Sequence, residues 1–143
     1  MPSVNQQALV PYSAAQMYQL VNDYVHYPEF LPGCVASQTL QRGDDFLIGE
    51  LTISKAGIRQ TFATYNQLIE NQAIRIQLKD GPFQSLQGEW RFVEIDDHCC
   101  QIELKLEFEF ANSLIAMAFG QIFNHLTQKM IDAFKQRAKE IYR

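Results

Sequence analysis

A chain of 143 residues with 16 acids against 12 lysines and arginines carries a net charge of −4, which disfavours broad electrostatic capture of nucleic acid and excludes DNA as an expected partner. At 47% hydrophobic and 20% charged, with 10 Phe, 6 Tyr and 1 Trp, the composition is that of a globular protein, and the length suits one domain over residues 1–143 that buries roughly two-thirds of its unfolded surface. No run approaches the roughly 18 apolar residues that span a bilayer, and the opening Met-Pro-Ser-Val-Asn-Gln-Gln has neither the basic nor the apolar part of a secretory leader. The three cysteines, two of them adjacent at Cys99 and Cys100, show no CxxC spacing and read as packing or surface thiols of a cytoplasmic protein.

In chain order, Val4–Val10 predicts a first strand, closed by Pro11. Ser13 followed by Gln16 is a capping-box pattern that opens a helix with Met17, Leu20, Val21 and Tyr24 as its apolar stripe. The connector Tyr27-Pro28-Glu29-Phe30-Leu31-Pro32-Gly33-Cys34 predicts a second short helix with Pro28 in its first turn, stopped by Pro32 and Gly33. From Val35 to Ala111 the rhythm changes to period two, broken by turn signals. Six strands follow: Val35–Leu40, Phe46–Lys55, Ile58–Leu68, Ala73–Leu78, Leu86–Ile95 and Cys100–Phe110. In the last, Ile102, Leu104, Leu106, Phe108 and Phe110 share one face, while Glu103, Lys105, Glu107 and Glu109 share the other. Connections of two to five residues force antiparallel neighbours.

A final helix is predicted over Ser113–Tyr142, capped by Asn112 or Ser113. Ile115, Phe119, Ile122, Leu126, Met130, Ala133 and Arg137 recur at steps of three and four along it. At roughly 1.5 Å per residue it is a rod of about 45 Å. Its first turns, Leu114 to Phe119, are apolar all round, so protein or ligand is expected to surround them. The predicted fold is α+β: an antiparallel seven-stranded curved sheet wrapped around a long C-terminal helix in a helix-grip arrangement, with two short helices after the first strand.

No catalytic constellation emerges. His26, His98 and His125 are scattered, and no phosphate loop, nucleophile elbow or HExxH motif occurs. His26, with Asp23 and Glu29 near it, is the histidine best placed for a role. What remains is apolar. The dry sheet face carries Leu51, Ile53, Phe62, Ile76, Trp90, Phe92, Leu106 and Phe108; the helix opposes it with Leu114, Ala118, Phe119, Ile122, Phe123 and Leu126. Each of these residues fills a core or lines a cavity. Gly88 and Ala118 are small where a filled core would want bulk, which favours a cavity for an apolar small molecule.

The motifs Tyr27-Pro28-Glu29-Phe30-Leu31-Pro32-Gly33-Cys34, Asp80-Gly81-Pro82-Phe83, Trp90-Arg91-Phe92, Phe108-Glu109-Phe110-Ala111-Asn112 and Phe119-Gly120 resemble those of the coenzyme Q-binding START-like proteins, and within them the bacterial ribosome association toxin (RatA) type, grouped with the polyketide cyclase-like domains. The resemblance covers essentially the whole chain. It implies a START-like fold and two function classes. One is a non-enzymatic binding protein that requires no cofactor and holds ubiquinone or a similar isoprenoid lipid in support of respiration. The other is a toxin that binds the large ribosomal subunit and blocks subunit joining. In the first, Phe30, Leu31 and Pro32 would form a wall or gate, Phe83 the mouth, Trp90 and Phe92 the floor, and Phe119, Ile122 and Phe123 the helix side, with a transient membrane-surface contact for loading. In the second, the basic run Lys129, Lys135, Arg137, Lys139 and Arg143 would make the contact.

Overall fold

The computed structural model describes residues 3–142. Seven strands form one antiparallel sheet: β1 Ser3–Val10, β2 Cys34–Arg42, β3 Phe46–Lys55, β4 Ile58–Ile69, β5 Ala73–Asp80, β6 Phe83–Asp96 and β7 Cys99–Phe110. The order across the sheet is β1-β7-β6-β5-β4-β3-β2, so the chain meanders from β2 to β7 and β1 returns beside β7. The sheet grips a 29-residue helix, α2 Ser113–Ile141. Between β1 and β2 lie α1 Ala14–Asn22 and a 3-10 helix, Tyr24–Glu29.

The local signals act as read. Ser13 Oγ accepts from Gln16 N–H at 3.1 Å and Gln16 Oε1 accepts from Ser13 N–H at 2.9 Å, a complete capping box. Asn112 Oδ1 accepts from Ile115 N–H at 2.9 Å and starts α2. β7 alternates as expected, with Ile102, Leu104, Leu106 and Phe108 buried and Lys105, Glu107 and Glu109 exposed.

Four features depart from expectation. β6 starts at Phe83, not Leu86, because Phe83 pairs with Phe110 before a bulge resets the register at Ser85. Pro28 lies near the end of the 3-10 helix rather than in its first turn. The centre of the buried stripe on α2 passes through Phe119, Phe123, Leu126, Phe134 and Ala138, which leaves Met130, Ala133 and Arg137 half-buried on its flank. The apolar start of α2 is not surrounded: Leu114 is 74% exposed and Met117 76%. With Phe119 turned inward, a rotation of about 100° per residue puts Leu114 and Met117 on the opposite, solvent side.

Beneath that start the interior is filled. Phe62, Phe83, Phe108, Phe110, Phe119 and Phe123 interlock, with ring centroids 4.9 Å apart for Phe83 and Phe123 and 4.8 Å for Phe108 and Phe123. Most of these pairs meet edge to face, the favoured aromatic geometry.

Candidate functional site

An apolar hollow lies one to three helical turns further along α2. It is a cavity of about 60 Å³ between the dry sheet face, the 3-10 helix and the Phe123 to Met130 segment of α2. Leu51, Phe62, Ile76, Trp90, Leu106, Phe123 and Leu126, all singled out from the sequence, line it. So do Tyr24, Tyr27, Thr64, Leu86, Leu104, Thr127 and Met130, which were not. Larger hollows of about 460 and 540 Å³ are open surface grooves with amide and charged side chains in their walls.

The 3-10 helix explains the two tyrosines. In that geometry side chains at i and i+3 eclipse, and the rings of Tyr24 and Tyr27 stack at 4.6 Å with 23° between planes. Phe30 continues the column, with its centroid 5.9 Å from that of Tyr27. Gly49 on β3 makes the room: a Cβ there would come within 2.9 Å of the Tyr24 ring. Ser37 Oγ donates to the Tyr24 carbonyl, and the Tyr27 hydroxyl donates to the Val21 carbonyl. The Tyr24 hydroxyl meets a buried polar pair on β4. Asn66 Nδ2 donates to it at 3.0 Å, and Thr64 Oγ1 donates to Asn66 Oδ1 at 2.9 Å. Burial raises both tyrosine hydroxyls above their usual titration range, so they stay protonated.

Of the other sequence-singled residues, Phe30 packs against Phe134 at 5.1 Å and under the Arg137 guanidinium at 5.2 Å, outside the cavity. Leu31 is buried and Pro32 half-buried beside it. The connector is therefore a wall through Tyr24 and Tyr27, not through Phe30, Leu31 and Pro32. Ile53 sits under the chain at Gly33, with its Cγ2 3.4 Å from where a Cβ would stand. Phe92 stacks on Trp90 at 6.4 Å and meets Tyr18, under α1. Phe83, Phe108 and Phe119 belong to the filled aromatic cluster. Ile122 is half-buried on the flank, and Leu114 and Ala118 face solvent. Gly88 does not open space either. A Cβ there would meet Lys105 O at 2.1 Å and the Leu106 Cα at 2.9 Å, so the bare backbone serves close approach of β6 to β7.

The missed residues carried a partial signal. Leu104 stands on the apolar face of β7 with Leu106 and Phe108, Leu86 at period two from Trp90 on β6, and Met130 on the flank of the helix stripe. Thr64 and Asn66 follow Phe62 at period two, so two polar residues on the dry face of β4 already marked a polar spot inside.

The histidines form no cluster. His26 Nδ1 is 2.7 Å from Asp23 Oδ2 at the surface, and the His98 amide donates to Asp96 Oδ1 in a turn. His125 is exposed on α2. The basic run is not one surface. Arg137 Nη2 is bound to Glu29 Oε1 at 2.7 Å and its side chain is 17% exposed, whereas Lys129, Lys135 and Lys139 are exposed. Arg143 lies outside the described residues. Cys34 and Cys100 are buried, and desolvation pushes both thiols up to about 11; Cys99 is half-buried.

Comparison with known proteins places this geometry. The family model described as polyketide cyclase/dehydrase and lipid transport matches residues 10–135. The chain is 51% identical over 142 residues to the ribosome association toxin RatA of Escherichia coli (strain K12), covering 99% of this chain and 90% of that protein. It is 25% identical over 135 residues to the mitochondrial coenzyme Q-binding protein COQ10 of Drosophila melanogaster, covering 92% of this chain and 56% of that protein. Among solved structures, the Zhui aromatase/cyclase of Streptomyces sp. R1128 superposes with a TM-score of 0.82 at 18% identity, covering 99% of this chain and 96% of that one. That likeness is one of fold.

Proposed function

The chain belongs to the polyketide cyclase/dehydrase and lipid transport family, and within it to the ribosome association toxin RatA group; from that membership we propose that it acts by associating with ribosomes, through the large subunit, and so blocks subunit joining. The observation that carries this reading is 51% identity over 99% of the chain to a protein of that name. Of the exposed cations of the basic run, Lys129, Lys135 and Lys139, the pair Lys135 and Lys139 stands four residues apart on one face of α2 and suits a phosphate backbone. Arg137 is committed to Glu29 and is left out of the contact. The test is co-sedimentation with purified subunits at low salt. Wild-type protein is expected to pellet with the large subunit, and the Lys135→Glu/Lys139→Glu double variant to stay in the supernatant with its melting temperature unchanged. Absence of wild-type binding at low salt overturns the reading, and unchanged pelleting of the variant removes this face from it.

The cavity favours a second activity, the holding of an apolar small molecule. It is lined chiefly by aliphatic and aromatic side chains. None of the described residues lining it is a carboxylate, histidine, cysteine or lysine, which supports binding rather than acid–base catalysis. At about 60 Å³ it has room for a handful of water-sized groups. It takes a compact apolar group directly. The tail of ubiquinone or another isoprenoid lipid would need the 3-10 helix and connector to move outward.

A further inference from the structure

We propose that the cavity selects an uncharged ligand carrying a carbonyl oxygen, and that the Tyr24 hydroxyl, held by Asn66 and Thr64, is the donor that recognises it. This rests on the reading that the cavity holds a small molecule, and adds the chemistry of the group held.

The argument is a count of protons. Thr64 has one hydroxyl hydrogen, and it goes to Asn66 Oδ1 at 2.9 Å. Asn66 Nδ2 donates to the Tyr24 oxygen at 3.0 Å, so that oxygen is already an acceptor. The Tyr24 hydrogen is left with Thr64 Oγ1 at 3.5 Å, well beyond the 2.5–3.0 Å of a normal O–H···O bond. Tyr24 is 9% exposed, Thr64 4% and Asn66 2%, so bulk water does not relieve the shortfall. Tyr24 lines the cavity. A buried donor without a good acceptor is costly, and an acceptor oxygen entering from the cavity removes that cost.

The other polar groups at the wall do not compete. Thr127 donates to the Asn124 carbonyl at 3.1 Å, and the Tyr27 hydroxyl is taken by the Val21 carbonyl. Asn66 does not line the cavity, so among the hydroxyl-bearing residues that do, the unspent donor is the Tyr24 hydroxyl, at a fixed place. Its ring is clamped by the Tyr27 stack and the bare backbone of Gly49. Among the described residues no cation lines the cavity, so a carboxylate or phosphate would enter unpaired, while a ketone, quinone or ester carbonyl meets the Tyr24 donor.

The test compares two probes of the same shape, cyclohexanone and methylenecyclohexane, by two-dimensional NMR titration of the Trp90 indole and neighbouring signals. Wild-type protein is expected to bind the ketone roughly 3- to 10-fold more tightly than the alkene, the range for one neutral hydrogen bond. Tyr24→Phe, which keeps the stacked ring and removes the O–H, is expected to lose the ketone preference and to favour the alkene, because the carbonyl oxygen then enters unpaired. Equal binding of the two probes by wild type overturns the proposal and leaves the cavity reading standing. Binding of neither probe overturns both. A Tyr24→Phe protein that keeps the ketone preference also overturns the assignment of the donor. If that variant fails to fold, the wild-type pair still decides.

Discussion

The two ends of the space between sheet and helix are built from similar residues and behave differently. At the start of α2, six phenylalanines close on one another, mostly edge to face. One to three turns on, where Leu51, Ile76, Leu104 and Met130 line the space together with Tyr24, Thr64 and Thr127, it stays open at about 60 Å³. Aromatic density therefore does not mark the cavity. Flat rings interlock to native packing density, whereas hydroxyl-bearing and branched side chains that must satisfy hydrogen bonds cannot all rotate into the gap. Phe62 and Phe123 are the boundary, since each packs against Phe83 on one side and lines the cavity on the other.

The comparison breaks most sharply at the filled end. Phe108 is fully buried and meets Phe83, Phe110 and Phe123. Phe108→Ala is expected to cost about 3–5 kcal/mol, because the interlocked rings cannot collapse into the hole. Thermal unfolding should report a fall of roughly 10–20 °C. A loss near 1 kcal/mol would mean that the cluster is loosely packed and that the two ends differ little.

A paired enlargement sharpens the contrast at intermediate size. Ile102 is fully buried on β7 away from the cavity, and Ile102→Phe is expected to cost about 1–3 kcal/mol by overpacking. Leu51 lines the cavity, so Leu51→Phe has space to enter and should stay within about 1 kcal/mol of wild type. Chemical denaturation of both variants measures the difference. Equal losses would show that the hollow is no softer than the rest of the core.

How far the sequence shows this pattern depends on the scale asked of it. Period two correctly assigns Leu51, Phe62, Trp90, Leu106 and Phe108 to the dry face, and the turn signals place every strand. Sharing a face does not mean sharing a neighbourhood. Phe83 and Phe92 lie on one 14-residue strand, nine positions or about 30 Å apart. The curved sheet delivers the first to the aromatic cluster and the second to α1. The connector shows the same limit. Its aromatics are expected to be buried or to line something, but only the 3-10 register decides that Tyr24 and Tyr27 turn in while Phe30 lies over Phe134. Two members of the buried polar trio, Thr64 and Asn66, follow Phe62 at period two on β4, yet their meaning depends on Tyr24, 40 residues away from Thr64 in sequence and 3.5 Å away in space.

The smallest expected effect belongs to Ala118, and it tests where the helix turns its sides. By composition the first turns of α2 look like a core segment. In the structure Ala118 is exposed, about 100° around the helix from Phe119, which is fully buried. Ala118→Phe adds a ring to solvent-facing surface, so no packing term opposes it. Helix propensity alone should lower stability by about 0.5 kcal/mol. Cyclohexanone binding in the cavity should not change, since neither Ala118 nor its neighbours on that side line it. Measured together, the denaturation midpoint and the NMR titration separate the alternatives. A loss of about 1–3 kcal/mol would place Ala118 in a packed interior. Loss of ketone binding with stability intact would place it at the cavity and extend the open region to the start of the helix. Two near-null results would leave the apolar start of α2 as surface, and confine the small-molecule site to the end of the interior that Tyr24 marks.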